Sequence, residues 1–145
     1  MKKQNLFDLQ NLNGLRLPAF STNFKTISCK SKVNQLPEIV KDNSRLIIGQ
    51  GTNLLLISSE SKPLKSLILL NQLKGKQIID RKNNKILVRC FAGEIWNEFV
   101  EWTLANNFGG LENLILIPGT VGAAPIQNIG AYGIEISERI YQINA

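Results

Sequence analysis

Hydrophobic residues along this chain fall mostly in short segments that are either apolar throughout or alternate with polar residues. Both patterns are typical of β-strands. The predicted strands are Thr26–Lys30, Arg45–Ile48, Leu54–Ile57, Ser66–Leu70, Lys76–Asp80 and Lys85–Phe91, and Ile140–Ile143 has a similar pattern. Because Arg-Lys-Asn-Asn at 81–84 separates two of these strands, residues 76–91 predict a β-hairpin.

Two segments have hydrophobic residues at helical spacing instead. They predict helices at Val33–Lys41, where Pro37 is acceptable only near the first turn, and at Gly93–Asn107. The apolar stripe of the second helix consists of Trp96, Phe99, Val100 and Leu104. These four residues are predicted to face the core. The predicted order is therefore β-α-β-β-β-β-β-α, followed by glycine-rich loops.

The most distinctive of these loops is residues 109–133, which contain six glycines, two prolines and one charged residue, Glu112. Glycine allows backbone to approach a ligand closely, and successive N–H groups in such turns form a concavity suited to phosphate oxygens. A buried, tightly turned connection between strands explains the same composition. The composition alone leaves both interpretations open.

A shorter loop, Ile-Gly-Gln-Gly-Thr-Asn-Leu at 48–54, lies between two predicted strands. It lacks the third glycine and the long helix of the dinucleotide fingerprint, and it lacks the Gly-Lys-Ser/Thr of a P-loop. Its Thr52 hydroxyl and Asn53 amide are suited to phosphate, but a tight hairpin explains the glycines equally well.

Composition limits the function. A length of 145 residues suits one ordinary globular domain. The net charge of +6 comes from scattered lysines without aromatic residues between them, which indicates a solvated surface and no nucleic-acid partner. Such a surface also attracts anionic ligands. The chain contains no histidine, which argues against a His-based triad or a Cys/His zinc site, and we expect no metal.

Location and redox state follow from two further features. No apolar run is long enough to span a bilayer, so we expect no membrane association and a cytoplasmic protein. Cys29 and Cys90 lie far apart without a C-x-x-C pair. They predict small buried residues in a reducing compartment, with a disulfide as the less favoured alternative.

Three motifs together resemble one enzyme family. They are Ile-Gly-Gln-Gly-Thr-Asn-Leu-Leu at 48–55, Phe-Ala-Gly-Glu-Ile-Trp at 91–96 and the glycine-rich segment at 110–133, and Asn-Gly-Leu-Arg-Leu at 13–17 adds a weaker fourth. This combination resembles UDP-N-acetylenolpyruvoylglucosamine reductases, also called UDP-N-acetylmuramate dehydrogenases. The resemblance extends over nearly the whole chain.

The resemblance implies an α+β FAD-binding fold of the vanillyl-alcohol oxidase type, with a small α/β first subdomain at 1–72 and an incomplete second subdomain at 73–145. By the same resemblance, a first loop binds the FAD pyrophosphate and ribose, a second surrounds flavin and pyrophosphate, and a third segment completes the pocket. The implied FAD-binding residues are Gly49, Gln50, Gly51, Thr52 and Asn53; Pro118, Gly119, Thr120, Val121, Gly122, Ala123 and Ala124; and Gln127, Asn128, Gly130, Ala131, Tyr132 and Gly133. Tyr132 either reaches the phosphates of the nucleotide substrate or packs against flavin or core.

The family reaction implied is reduction of the enolpyruvyl ether of UDP-N-acetylglucosamine to UDP-N-acetylmuramate, a cytoplasmic step of peptidoglycan synthesis with NADPH as reductant. The family's catalytic arginine, serine and glutamate have no counterparts in residues 1–145, so no catalytic residue is assigned here and the substrate domain is absent. We therefore expect the N-terminal part of such a reductase, inactive alone and with weakened FAD affinity. The alternatives are a stand-alone flavin- or nucleotide-binding module and an inactive relic.

Overall fold

The computed structural model describes residues 5–34 and 45–144 of a chain that divides into two units, Met1–Leu73 and Lys74–Ala145. The first unit contains β1 (Phe7–Asp8), β2 (Phe20–Ser21), β3 (Phe24–Ile27), α1 (Lys30–Asn34), β4 (Arg45–Ile48) and β5 (Leu67–Asn71). Its main sheet is parallel with the order β3-β5-β4. β1 and β2 form a separate antiparallel pair.

The core of the first unit lies around the central strand of this sheet. Ile68 of β5 pairs with Phe24 on one side and Leu46 on the other, and its side chain is fully buried. The residues buried with it are Leu9, Ala19, Ile48 and Leu56. A strand paired on both sides and apolar throughout is what its Leu-Ile-Leu-Leu sequence favours.

In this unit the strand predicted at Arg45–Ile48 is confirmed with the same bounds, and two other predicted strands are present with different bounds. The strand predicted at Thr26–Lys30 is β3, three residues shorter at its end, because the chain turns at Cys29, whose carbonyl accepts from the Lys32 amide. The strand predicted at Ser66–Leu70 is β5. Of the helix predicted at Val33–Lys41, its first two residues lie in α1 and residues 35–41 lie outside the described residues.

The strand predicted at Leu54–Ile57 is wrong, because this segment bonds to residues that are not in a strand. The Leu54 carbonyl accepts from the Gly14 amide at 2.8 Å. The Leu56 carbonyl and amide both bond to the side chain of Asn13, at 2.8 and 3.3 Å. This run of four apolar residues therefore has no strand ladder, and of the four only Leu56 is buried.

The second unit contains β6 (Lys76–Lys82), β7 (Lys85–Cys90), α2 (Trp96–Ala105), β8 (Gly130–Ala131) and β9 (Ile134–Glu135). The predicted β6–β7 hairpin is confirmed, with a bulge between Ile78 and Asp80. Asn83 and Asn84 form its turn at φ 48° and 59°, a conformation that asparagine tolerates better than most residues.

The helix predicted at Gly93–Asn107 is confirmed but begins later, at Trp96. Residues 92–94 form a turn instead, and Ile95, the residue before the helix, is extended and pairs with Thr120 in an isolated β-bridge. Trp96, Phe99 and Val100 are buried as predicted, whereas Leu104 is 38% exposed and Thr103 is buried in its place. The remaining buried members of this core are Leu114, Ala124, Ile129 and Ile136.

The strand-like pattern at Ile140–Ile143 forms no strand. The side chains of Tyr141 and Ile143 are exposed, and no described strand pairs with this segment. Alternation alone does not make a strand, since its amides and carbonyls need a partner ladder. Within the described residues, no helix is long and apolar enough to cross a membrane.

The two cysteines differ in environment. Both are free, but Cys29 is exposed, so its predicted burial is wrong, whereas Cys90 is partly buried. A hydrogen bond with Ser31 and the backbone of Lys32 lower the pKa of the Cys29 thiol. Burial, followed by the charge of Glu94, raises the pKa of Cys90 to about 12.

We therefore expect iodoacetamide at pH 8 to alkylate Cys29 roughly 100-fold faster than Cys90, because only the thiolate reacts. Mass spectrometry of peptides against time measures both rates. Cys90 should remain unreactive from pH 7 to 9, since its thiol stays protonated below its raised pKa. In denaturant the two rates should converge; equal rates in the native chain would contradict the prediction.

Candidate functional site

The first glycine-rich loop, residues 49–53, follows β4 and rests against residues 12–14. Gly51 is buried with φ at 71°, and a Cβ there would lie 1.9 Å from the Leu12 carbonyl oxygen. On the same side, a Cβ on Gly14 would lie 2.8 Å from the Thr52 carbonyl oxygen. The close backbone approach that glycine permits is therefore made, at these positions, to the chain itself.

Asn13 holds the end of this loop. Its buried side chain donates to the carbonyls of Leu17 and Leu56, at 3.1 and 2.8 Å, and accepts from the Leu56 amide. The loop backbone is thus fixed, while the side chains of Thr52 and Asn53 are exposed. Sequence reasoning assigned no role to Asn13, although the Asn-Gly-Leu-Arg-Leu motif that begins there was a signal.

The second loop, residues 118–124, is held by the segment that precedes α2. The Trp96 amide donates to the Gly119 carbonyl at 3.0 Å, and the amides of Val121 and Gly122 donate to the carbonyls of Glu94 and Ala92, both at 2.9 Å. Ile95 and Thr120 form the β-bridge at the centre of these bonds. The second loop therefore lies at the N-terminus of α2, where backbone N–H groups favour anions.

These bonds limit the prediction that the second loop offers a run of free N–H groups. Besides Val121 and Gly122, the amides of Ala123 and Ala124 donate within the chain, both to the Thr120 carbonyl. For these four residues the expectation is wrong, because the amides hold the loop instead. A Cβ on Gly122 would lie only 2.5 Å from the Ala92 Cβ, so this glycine too serves contact within the chain.

Residues 127–133 continue from this loop into the β8–β9 hairpin. The Ile129 amide donates to the Ala124 carbonyl at 3.1 Å, which brings both parts of the predicted pocket together. The Asn128 side chain donates to the Glu135 carboxylate at 2.6 Å and accepts from the Ser137 amide at 3.1 Å. Both of these partners lie at the end of the hairpin or just after it, within the same unit. Gln127 is exposed.

Tyr132 and Gly133 form the tight turn of this hairpin, with φ at 53° and 77°. Gly130 and Ala131 are the strand that precedes the turn. Tyr132 is 88% exposed, so packing of its ring against the core is wrong, whereas contact with flavin or with the phosphates of a nucleotide substrate stays a prediction. A bulky residue at positive φ is uncommon and marks sites where side-chain placement matters.

Glu94 is the one buried carboxylate beside the second loop among the described residues. One carboxylate oxygen accepts from the Gly75 amide at 2.7 Å, and the other lies 3.2 Å from Lys76 Nζ and 3.7 Å from Lys74 Nζ. Burial raises the pKa of Glu94, but the Gly75 bond and the lysines outweigh it and hold the pKa below its ordinary value. Sequence reasoning gave this residue no role.

Neither loop carries a charge: residues 49–53 and 118–133 contain no Asp, Glu, Lys or Arg. The first loop belongs to the first unit, and the other predicted site residues belong to the second. In the described part of the chain, no group of Cys, Asp and Glu is arranged to hold a metal ion. The groups that the two loops present are neutral backbone and side-chain groups.

Comparisons with known proteins fit this chemistry. Residues 31–143 match the model of a family described as FAD binding domain. The UDP-N-acetylenolpyruvoylglucosamine reductases of Flavobacterium johnsoniae and Bdellovibrio bacteriovorus are 42% and 40% identical over 100% of this chain, which covers 42% and 43% of them. The crystal structure of this reductase from Thermus caldophilus aligns with a TM-score of 0.68 and 18% identity, over 92% of this chain and 45% of that one.

The chain thus spans about two fifths of the length of the curated relatives that it matches. These matches confirm the resemblance that the sequence motifs indicated. The structural likeness, together with the family model, confirms the predicted α+β fold of the vanillyl-alcohol oxidase type.

Proposed function

The chain belongs to the FAD binding domain family, and on this premise we propose that it forms the N-terminal FAD-binding portion of a UDP-N-acetylenolpyruvoylglucosamine reductase. The observation that carries the proposal is the identity of 42% over the entire chain to such a reductase. We assign residues 1–72 and 73–145 to two FAD-binding subdomains, and the division of the chain after Leu73 supports this assignment.

The residues of both loops fit a dinucleotide. An FAD diphosphate is anionic, so a site for it needs hydrogen-bond donors and no nearby carboxylate. Residues 49–53 and 118–133 contain no Asp or Glu. The first loop presents the exposed Thr52 hydroxyl and Asn53 amide. The second lies at the N-terminus of α2, where Gly119 and Thr120 are held by Trp96 and Ile95.

We assign roles to the loop residues on this basis. Residues 49–53 hold the pyrophosphate and the adjoining ribose, and residues 118–124 surround the pyrophosphate and the flavin. Gln127, Asn128, Gly130, Ala131 and Gly133 complete the pocket. Tyr132 lies at an exposed turn, which suits contact with the phosphates of a nucleotide substrate. Glycine and alanine at half of these positions keep side chains from filling the space a flat ring needs.

In the complete enzyme, bound FAD would supply hydride transfer from NADPH to the enolpyruvyl group of a nucleotide-sugar substrate. This chain contributes the cofactor site to that reaction. We further propose that the reaction takes place in the cytoplasm, where NADPH and nucleotide sugars are available, and that it serves peptidoglycan synthesis and thereby cell shape and division.

We expect the purified chain to bind FAD saturably, with a Kd of roughly 10–100 μM, and to bind riboflavin at least tenfold more weakly, because riboflavin lacks the diphosphate. Quenching of flavin fluorescence on titration with protein measures both constants. Thr52→Val, which removes one hydroxyl without changing shape, should weaken FAD binding about fivefold and leave riboflavin binding unchanged.

Thr22→Val serves as a control for loss of a threonine hydroxyl away from the loops: Thr22 is half-buried and its hydroxyl donates to the Leu64 carbonyl at 3.3 Å, and the variant should leave FAD affinity unchanged. Absence of any FAD binding at about 1 mM protein would overturn the proposed function. Equal affinity for FAD and riboflavin would overturn the assignment of the loops to the diphosphate.

A further inference from the structure

Glu94 connects three parts of the second unit. Its side chain, 7% exposed, holds the start of β6 through the Gly75 amide and the ammonium groups of Lys74 and Lys76. Its backbone carbonyl holds the second loop through the Val121 amide.

The segment around Glu94 is tied to β6 a second time. The Phe91 amide donates to the Gly75 carbonyl at 2.9 Å, and the Glu94 amide donates to the Phe91 carbonyl at 3.1 Å. Residues 91–94 therefore form a turn whose position is set from the Gly75 side. The carbonyls of Ala92 and Glu94, which accept from the second loop, are part of this turn.

A buried carboxylate that holds a turn carries a large desolvation penalty, because its charge loses contact with water. It does, however, accept only from donors placed at defined points, whereas an apolar side chain tolerates sliding. The Gly75 amide and the two lysines supply those donors here. The buried charge therefore sets the register of β6 against residues 91–94.

We propose that Glu94 is a positioning residue for FAD: its carboxylate fixes residues 91–94 against Gly75, and the backbone of that turn holds Gly119–Gly122 in the conformation that receives the cofactor. This inference rests on the proposed function. It gives the Phe-Ala-Gly-Glu motif a physical role that does not require contact between Glu94 and FAD.

The test compares three variants of the full chain by flavin fluorescence titration, at a temperature where far-UV circular dichroism shows each to be folded. Glu94→Ala should weaken FAD binding at least tenfold and reduce quenching of bound flavin at saturation, because the loop is no longer held. Glu94→Gln keeps an acceptor for the Gly75 amide and should rescue part of the loss, to about threefold.

Asp80→Asn, in β6 of the same unit, provides the matched control. Asp80 is also a carboxylate paired with a lysine, Lys82, at 3.3 Å, but both side chains are exposed. This variant should bind FAD like the wild type, with unchanged quenching. The altered quenching at saturation separates positioning from stability, since a merely less stable protein binds flavin in the same environment once saturated.

The outcomes are distinct. If wild type binds FAD and folded Glu94→Ala binds within twofold of it, with the same quenching, the positioning role is wrong while the proposed function stands. If Glu94→Ala does not fold, Glu94→Gln decides: wild-type affinity and quenching overturn the inference, and a loss of both supports it. If wild type itself does not bind FAD, the proposed function fails, and this inference with it.

Discussion

Replacement of Gly51 by alanine is expected to destabilise the first unit by about 3 kcal/mol or more. Positive φ costs an alanine about 1–2 kcal/mol, and steric overlap in a packed region costs about 1–3 kcal/mol more. Both terms apply, since φ is 71° and the new Cβ would lie 1.9 Å from the Leu12 carbonyl oxygen. A backbone oxygen cannot move aside as the end of a flexible side chain can.

Hydrogen exchange is the suitable measurement, because the tryptophans, Trp96 and Trp102, both lie in the second unit and do not report on the first. Amides of β5 should lose about 100-fold in protection, since each 1.4 kcal/mol is tenfold. FAD affinity should fall as well, because the loop that displays Thr52 must move.

Gly133→Ala is the matched control for the conformational term. Gly133 also has positive φ, at 77°, but nothing lies within 4 Å of the added Cβ. The Gly133→Ala substitution should lower the free energy of unfolding by only about 1 kcal/mol. Equal losses at the two positions would show that the contact between Gly51 and Leu12 contributes nothing.

Among the elements that the sequence predicted correctly, the β6–β7 hairpin and α2 have signals that are local in sequence. The β6–β7 hairpin depends on two asparagines at positive φ between apolar strands, and all of these signals are adjacent in sequence. α2 likewise follows from its own apolar stripe. Leu54–Ile57 failed because its partner is the side chain of Asn13, 43 residues away in the case of Leu56.

The glycine-rich segments show what composition can and cannot indicate. Clustered glycines correctly indicated close approach of backbone, and at Gly51 and Gly122 the structure shows what is approached: Leu12 and Ala92 of the same chain. The two interpretations left open by the sequence are therefore not exclusive. Tight packing fixes the loop, and a fixed loop is a prerequisite for preorganised binding.

Glu94 lay beyond sequence reasoning for a different reason. A glutamate just before a helix ordinarily predicts an exposed residue, and nothing adjacent to it in sequence indicates burial. Its environment is set by Gly75 and Lys76, which lie at the start of β6, 18 or more residues earlier in the chain. Only the three-dimensional arrangement of those donors makes a buried carboxylate acceptable there.

Replacement of Gly122 by alanine is expected to weaken FAD binding at least tenfold and to destabilise the second unit by about 2 kcal/mol. The added Cβ would lie 2.5 Å from the Ala92 Cβ, so the loop must separate from residues 92–96. That separation lengthens the bonds from Val121 and Gly122 that hold the loop. Urea unfolding followed by tryptophan fluorescence reports this directly, since both tryptophans lie in this unit.

The contact itself suggests the decisive control, which is to remove the opposing methyl group. In the double variant Gly122→Ala with Ala92→Gly, the 2.5 Å approach between the two Cβ atoms is gone, and the new Cβ keeps only the 3.0 and 3.1 Å approaches to the Cα and carbonyl oxygen of residue 92, which a small shift of the loop relieves. We expect FAD affinity to recover to within about threefold of wild type, while Ala92→Gly alone costs less than about 1 kcal/mol. Additive losses in the double variant would mean that Gly122 acts through something other than its approach to the Ala92 methyl group, for example through the backbone of residue 92 or through direct contact with the cofactor.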